Sequence, residues 1–132
     1  MNNLVLIGFK AAGKTTLGRR VAAKLQKHFI DTDDLFEEPP PILYQKLGEV
    51  AFRAREQELL QMLKNLSGCV IATGGGSALN PENRVLLRSL GTIIHLHTPK
   101  EIIEQRIGPT HPFLPDYDNR LGIYTTIAHH SA

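Results

Sequence analysis

Tryptophan is absent from this sequence and cysteine occurs once, at Cys69. One thiol closes no intramolecular disulfide, so a stapled secreted scaffold is excluded and a reducing, cytoplasmic setting is expected. No apolar run approaches the ~20 residues of a membrane-spanning helix. The opening Met1-Asn2-Asn3-Leu4-Val5-Leu6-Ile7-Gly8 has no basic segment before its apolar stretch, so no signal peptide is expected. An excess of one charge sign is also missing. Fifteen Lys and Arg against thirteen Asp and Glu leave +2, which offers nucleic acid no electrostatic footprint. At 132 residues there is room for one domain, spanning 1–132, and 42% hydrophobic residues suffice for its core. A monomer is the default expectation.

What the chain does have is a regular alternation. Short apolar runs at 4–7, 29–31, 69–73 and 92–97 read as buried strands. Between them, Leu17, Val21 and Leu25 recur on one face of a helix that starts at Lys14. Phe52, Leu59, Leu63 and Leu66 form a stripe on a long helix over 49–66. Shorter helices are predicted at 42–47, 81–90 and 100–107, the second of these starting at Pro81 after a run of glycines. Pro39-Pro40-Pro41 cannot lie inside a helix. The alternation predicts an α/β fold of three layers, with a largely parallel sheet of about four strands flanked by helices. Residues 108–120 are irregular and read either as a cover over a site or as a surface loop.

Gly8-Phe9-Lys10-Ala11-Ala12-Gly13-Lys14-Thr15 satisfies the phosphate-loop pattern G-x-x-x-x-G-K-[ST], between a predicted strand and a predicted helix as that pattern requires. Gly8, Ala11, Ala12, Gly13, Lys14, Thr15 and Thr16 are therefore candidate nucleotide-binding residues. Backbone N–H groups and the helix N-terminus would meet phosphate oxygens, Lys14 would reach the outer phosphates, and Thr15 could ligate Mg²⁺.

Asp31-Thr32-Asp33 ends the second strand. If the strand continues through it, the two carboxylates share a face, one supporting Mg²⁺ and the other accepting a proton; a solvated helix cap around Asp31, Asp33 and Asp34 is the competing reading. Gly74-Gly75-Gly76 either admits a ligand to bare backbone or is a flexible turn. Arg53 and Glu56, three apart on the long helix, either present a guanidinium to a substrate carboxylate or form a surface ion pair. His95 and His97 lack the further ligands that a metal site would need.

Together these segments resemble the shikimate kinases, small phosphate-loop enzymes. The matching stretches are 4–20 (LVLIGFKAAGKTTLGRR), Asp31-Thr32-Asp33, 48–56 (GEVAFRARE), 71–76 (IATGGG) and 120–124 (RLGIY). The resemblance implies transfer of the ATP γ-phosphoryl group to the 3-hydroxyl of shikimate, with Mg²⁺. It assigns Lys14 to the phosphates, Thr15 and Asp31 to the metal, and Asp33 to substrate binding and the role of base. It assigns Arg53, Arg120, Gly74, Gly75 and Gly76 to shikimate, with Glu56 supporting Arg53, and Arg106 to the adenine side. Residues 33–66 would form the substrate region and 108–120 the lid.

Three features depart from the family pattern. A lid arginine is replaced by His111 in His111-Pro112-Phe113-Leu114, the stretch between Asp33 and Gly48 is short, and the chain is expected to stop before the family's last strand. Those departures keep two alternatives open: another small-molecule kinase such as a gluconate kinase, and a nucleotide-binding module without turnover.

Overall fold

The structure is a computed structural model and describes residues 3–132. Among the described residues, five strands form one parallel sheet: β1 (Asn3–Ile7), β2 (His28–Asp31), β3 (Cys69–Ala72), β4 (Gly91–His95) and β5 (His130–Ser131). Their order is β2-β3-β1-β4-β5. The helices are α1 (Lys14–Leu25), α2 (Pro40–Leu47), α3 (Glu49–Met62), α4 (Pro81–Leu90), α5 (Lys100–Ile107) and α6 (Tyr117–Ile127).

The sheet has one strand more than the four expected, and the last strand expected to be missing is present as β5. Ala132 N–H donates to His95 O at 2.9 Å and His97 N–H donates to Ala132 O at 3.0 Å, so β4 is not an edge. Two exposed polar residues carry no hydrophobic alternation, and only backbone pairing makes them a strand.

Alternating side chains divide the strands between two faces, which is why helices must cover both. Leu4 and Leu6 of β1 and Val70 of β3 pack with Ala22 and Val21 of α1. Val5, Ile7, Ile71 and Ile93 face the opposite way, into a cluster with Leu60, Leu87, Leu90, Tyr124 and Ile127 from α3, α4 and α6. The predicted face of α1 is corrected here. Its buried residues are Lys14, Gly18 and Ala22, while Leu25 is half exposed. The reason is spacing: a Cβ on Gly18 would stand 2.5 Å from the Phe29 ring, so the helix meets the sheet through its smallest residues.

The prolines and asparagines set other boundaries. Pro40 and Pro41 occupy the first turn of α2, where a missing N–H costs nothing, so they start the helix. Asn80 caps α4 through the Glu82 N–H at 2.8 Å, ahead of Pro81. The long helix ends at Met62, earlier than the predicted 66, and passes into a 3₁₀ turn over Leu63–Asn65. Buried Asn3 ties three elements together: its Nδ2 donates to Leu66 O (2.8 Å) and Leu90 O (2.9 Å), and its Oδ1 accepts from Cys69 N–H (3.0 Å).

Candidate active site

The loop between β1 and α1 lies where the chain leaves the sheet centre, with β3 on one side of β1 and β4 on the other. In a parallel sheet this is the crevice that receives ligands. Gly13, at φ 96°, turns the chain into α1, and a Cβ on Gly8 would stand 2.7 Å from Leu96 O. Ala11 sits at φ 63°, a left-handed conformation that costs a residue with a Cβ about 1–2 kcal/mol. Side chains hold the loop from outside: Arg106 Nη1 donates to Ala11 O at 2.6 Å and Thr98 Oγ1 to Ala12 O at 3.1 Å.

Lys14 is buried beneath the loop, where its Nζ donates to Gly8 O at 2.5 Å and Phe9 O at 3.0 Å. Burial lowers its pKa to about 8; Asp33 and Asp31 oppose that fall, while Lys10 and Arg120 add to it. Thr15, next along α1, donates from Oγ1 to Asp31 Oδ2 at 2.8 Å; Thr15 and Thr16 are both exposed.

Asp31 and Asp33 do not share a strand face. β2 ends at Asp31, and Thr32–Leu35 form a 3₁₀ turn that Asp31 caps by accepting from the Asp33 N–H at 3.0 Å. The capping reading therefore describes the backbone, and the same cap brings Asp31 to Thr15. Asp33 instead approaches the glycine run, where its Oδ1 would lie 3.4 Å from a Cβ on Gly74. Desolvation raises its carboxyl above the ordinary value of 3.8, as do the charges of Asp31 and Glu56, while Lys14 and Lys10 pull the other way.

Gly74 and Gly76 make room for side chains, and Gly75 for the backbone of the phosphate loop. A Cβ on Gly76 would stand 2.4 Å from Arg53 Nη2, and one on Gly75 would stand 3.0 Å from the backbone nitrogen of Lys10. Arg53 Nη1 donates to Glu56 Oε1 at 3.1 Å, and the other oxygen of buried Glu56 accepts from Ser77 Oγ at 2.9 Å. The ion pair is enclosed, unlike the surface pair that the spacing alone also allowed. From the far side, Tyr124 donates to Gly75 O; burial pushes its phenol up to about 12, with the Arg120 charge opposing. Arg120 itself is buried, donating from Nε to Asp116 Oδ2 at 2.9 Å and lying over the Phe113 ring at 4.5 Å.

Residues 108–120 pack against the phosphate loop. Leu114 and Tyr117 are buried, the Tyr117 and Phe9 rings lie 5.2 Å apart, and the Tyr117 hydroxyl donates to Thr98 O at 2.6 Å. His111 Nδ1 accepts from Phe113 N–H at 3.1 Å, and desolvation followed by the charges of Lys10 and Arg120 lowers its pKa. His95 is buried beside Tyr124, its pKa lowered to about 4 chiefly by burial.

Ser77, Tyr124 and Lys10 carry site contacts that motif reading did not single out. For Lys10 the sequence signal was a second charged residue in the phosphate loop, and Tyr124 closes the RLGIY stretch.

A family model for shikimate kinase matches residues 10–121. The shikimate kinase of Neisseria meningitidis serogroup C is 43% identical over 107 residues, covering 78% of this chain and 63% of that relative. The chain thus spans under two thirds of that relative's length. A solved shikimate kinase from Acinetobacter baumannii in complex with shikimate superposes at TM-score 0.89 with 32% identity, covering 100% of this chain and 83% of that one. A gluconokinase from Sinorhizobium meliloti shares the fold, at TM-score 0.59 and 20% identity over 92% of this chain and 74% of its own.

Proposed function

This chain belongs to the shikimate kinase family, and from that premise we propose that it transfers the γ-phosphoryl group of ATP to the 3-hydroxyl of shikimate, as a cytoplasmic monomer. The observation that carries the reading is the meeting of Asp33, Arg53 and Gly74 to Gly76 beside the buried phosphate-loop lysine. A loop that binds phosphate would serve any nucleotide, but an enclosed arginine beside a carboxylate of raised pKa suits an acceptor bearing both a carboxylate and hydroxyls.

Lys14 leaves the Gly8 and Phe9 carbonyls to meet the outer phosphates, and the N–H groups of residues 11–16 receive the remaining oxygens. Arg106 braces the loop on the adenine side. Arg53 and Arg120 hold the shikimate carboxylate, Glu56 fixes Arg53, and the backbone of residues 74–76 lies along the ring. Asp33 then accepts the proton of the 3-hydroxyl as that oxygen bonds to the γ-phosphorus. The bond from phosphorus to the β–γ bridging oxygen breaks and its electron pair leaves with ADP.

Thr15 and Asp31 fit Mg²⁺: they bring a hydroxyl and a carboxylate oxygen to within 2.8 Å at the loop, hard donors that leave other positions to water and phosphate. When bound there, the ion would neutralise charge on the phosphate oxygens.

The test is ADP release from Mg-ATP with and without shikimate, with gluconate as a competing acceptor. Release that depends on shikimate is the expected result. Release with gluconate alone would transfer the reading to another sugar-acid kinase. ADP binding without release would favour a nucleotide-binding module, a reading that draws on His111, whose surroundings disfavour protonation, in place of a lid cation.

A further inference from the structure

Phosphoryl transfer spreads negative charge over the γ-oxygens, and enzymes meet it with more than one positive group. Around this phosphate loop, most cations are already engaged. Arg53 is paired with Glu56, Arg120 with Asp116, and Arg106 with the Ala11 carbonyl. Within 108–120, His111 is the other basic side chain; its Nδ1 accepts a backbone N–H, and its surroundings disfavour protonation.

Lys10 is different. It is the third residue of the phosphate loop, its side chain is exposed, and among the described residues it makes no hydrogen bond or ion pair. Its backbone lies against Gly75, in the glycine run that borders Asp33, so this loop position faces residues 74–76. Its charge acts on Asp33, Lys14 and His111 together.

We propose that Lys10 is a catalytic residue that supplies a second positive charge to the γ-phosphoryl group, from within the phosphate loop itself and in place of a cation from residues 108–120. The proposal rests on the kinase reading. As the shikimate oxygen bonds to phosphorus and the bridging oxygen departs with ADP, Lys10 donates an N–H hydrogen bond to a γ-oxygen and keeps its proton, while the hydroxyl proton goes to Asp33. A loop position serves this role without closure of a lid, because Lys10 is carried by the same backbone turn that binds the phosphates.

The experiment compares Lys10→Gln and Lys10→Arg with the unaltered chain. It measures kcat and the shikimate KM, and the affinities for ADP and for a non-hydrolysable ATP analogue, both with Mg²⁺. In an active chain kcat decides: Lys10→Gln should lose about 10²-fold with the shikimate KM nearly unmoved, and Lys10→Arg should recover most of it. A kcat for Lys10→Gln within about twofold of the unaltered chain overturns the proposal and leaves the kinase reading standing. If the unaltered chain releases no ADP, the kinase reading fails and the affinities decide. Weakening of the analogue by about fivefold or more with ADP unchanged would uphold the contact, and equal effects on both would overturn it.

Discussion

The guanidinium of Arg53 rests against the backbone of Gly76, so close that a Cβ there would stand 2.4 Å from Nη2. Because the obstacle is the end of a long side chain, Gly76→Ala should fold normally and displace Arg53. We expect Gly76→Ala and Arg53→Ala to raise the shikimate KM alike, by about 10- to 100-fold for a lost charged hydrogen bond, with a smaller effect on kcat. Steady-state kinetics check this; an unchanged KM in both would remove Arg53 from the substrate site.

Asp33, the proposed base, is held at a cost to stability. Its folded pKa lies above the ordinary 3.8, so the native state prefers the protonated form. The stability it contributes is greatest below 3.8 and is lost as pH rises through the raised value. At neutral pH, Asp33→Asn should therefore raise the thermal midpoint while lowering kcat by about 10²- to 10⁴-fold and sparing ATP binding. The acid limb of the pH–rate profile should fall at the raised pKa of Asp33. A stable variant with near-normal turnover would refute its role as base.

Lys14 predicts a proton signal. Its pKa near 8 in the free protein means that it is largely neutral at pH 9, and a polyphosphate beside it favours the charged form. Nucleotide binding at pH 9 should take up a proton, shown by calorimetry in buffers of different ionisation enthalpy. The linked stability runs the same way: a lysine with a depressed folded pKa contributes stability above 10.5 that is lost as pH falls through about 8. Lys14→Met should thus be more heat-stable at neutral pH and bind nucleotide poorly.

Asn3 joins the starts of β1 and β3 to Leu66, beyond the turn that follows α3, and to the end of α4 through three hydrogen bonds. Asn3→Ala leaves two carbonyls and an N–H without that partner, and about 3 kcal/mol of stability should be lost in denaturant titration. A loss under about 1 kcal/mol would mean that water replaces the side chain.

Local chemistry made much of this legible before folding. The glycines and Lys14 of the phosphate loop, Pro81 at a helix start and the apolar runs of β1, β3 and β4 each state their role through backbone freedom, charge or period, and the structure places them in those elements. Less was legible where packing overrode pattern. The leucine stripe of α1 yields to Gly18 and Ala22 because the helix lies too close to Phe29 for larger residues. The strand pairing of His130 and Ser131 comes from backbone groups that no side-chain pattern announces.

The site divides in the same way. Its residue types were present in the sequence by themselves: a phosphate loop, paired aspartates, an arginine three residues before a glutamate, and three glycines. Only the tertiary structure decided which of them meet. It turned Asp31 to Thr15 and Asp33 to Gly74 through one capped turn, enclosed Arg53 with Glu56 and Ser77, and set Tyr124 on the Gly75 carbonyl. Those contacts join residues far apart in the chain, and their distances depend on how the sheet and helices pack, which no local spacing encodes.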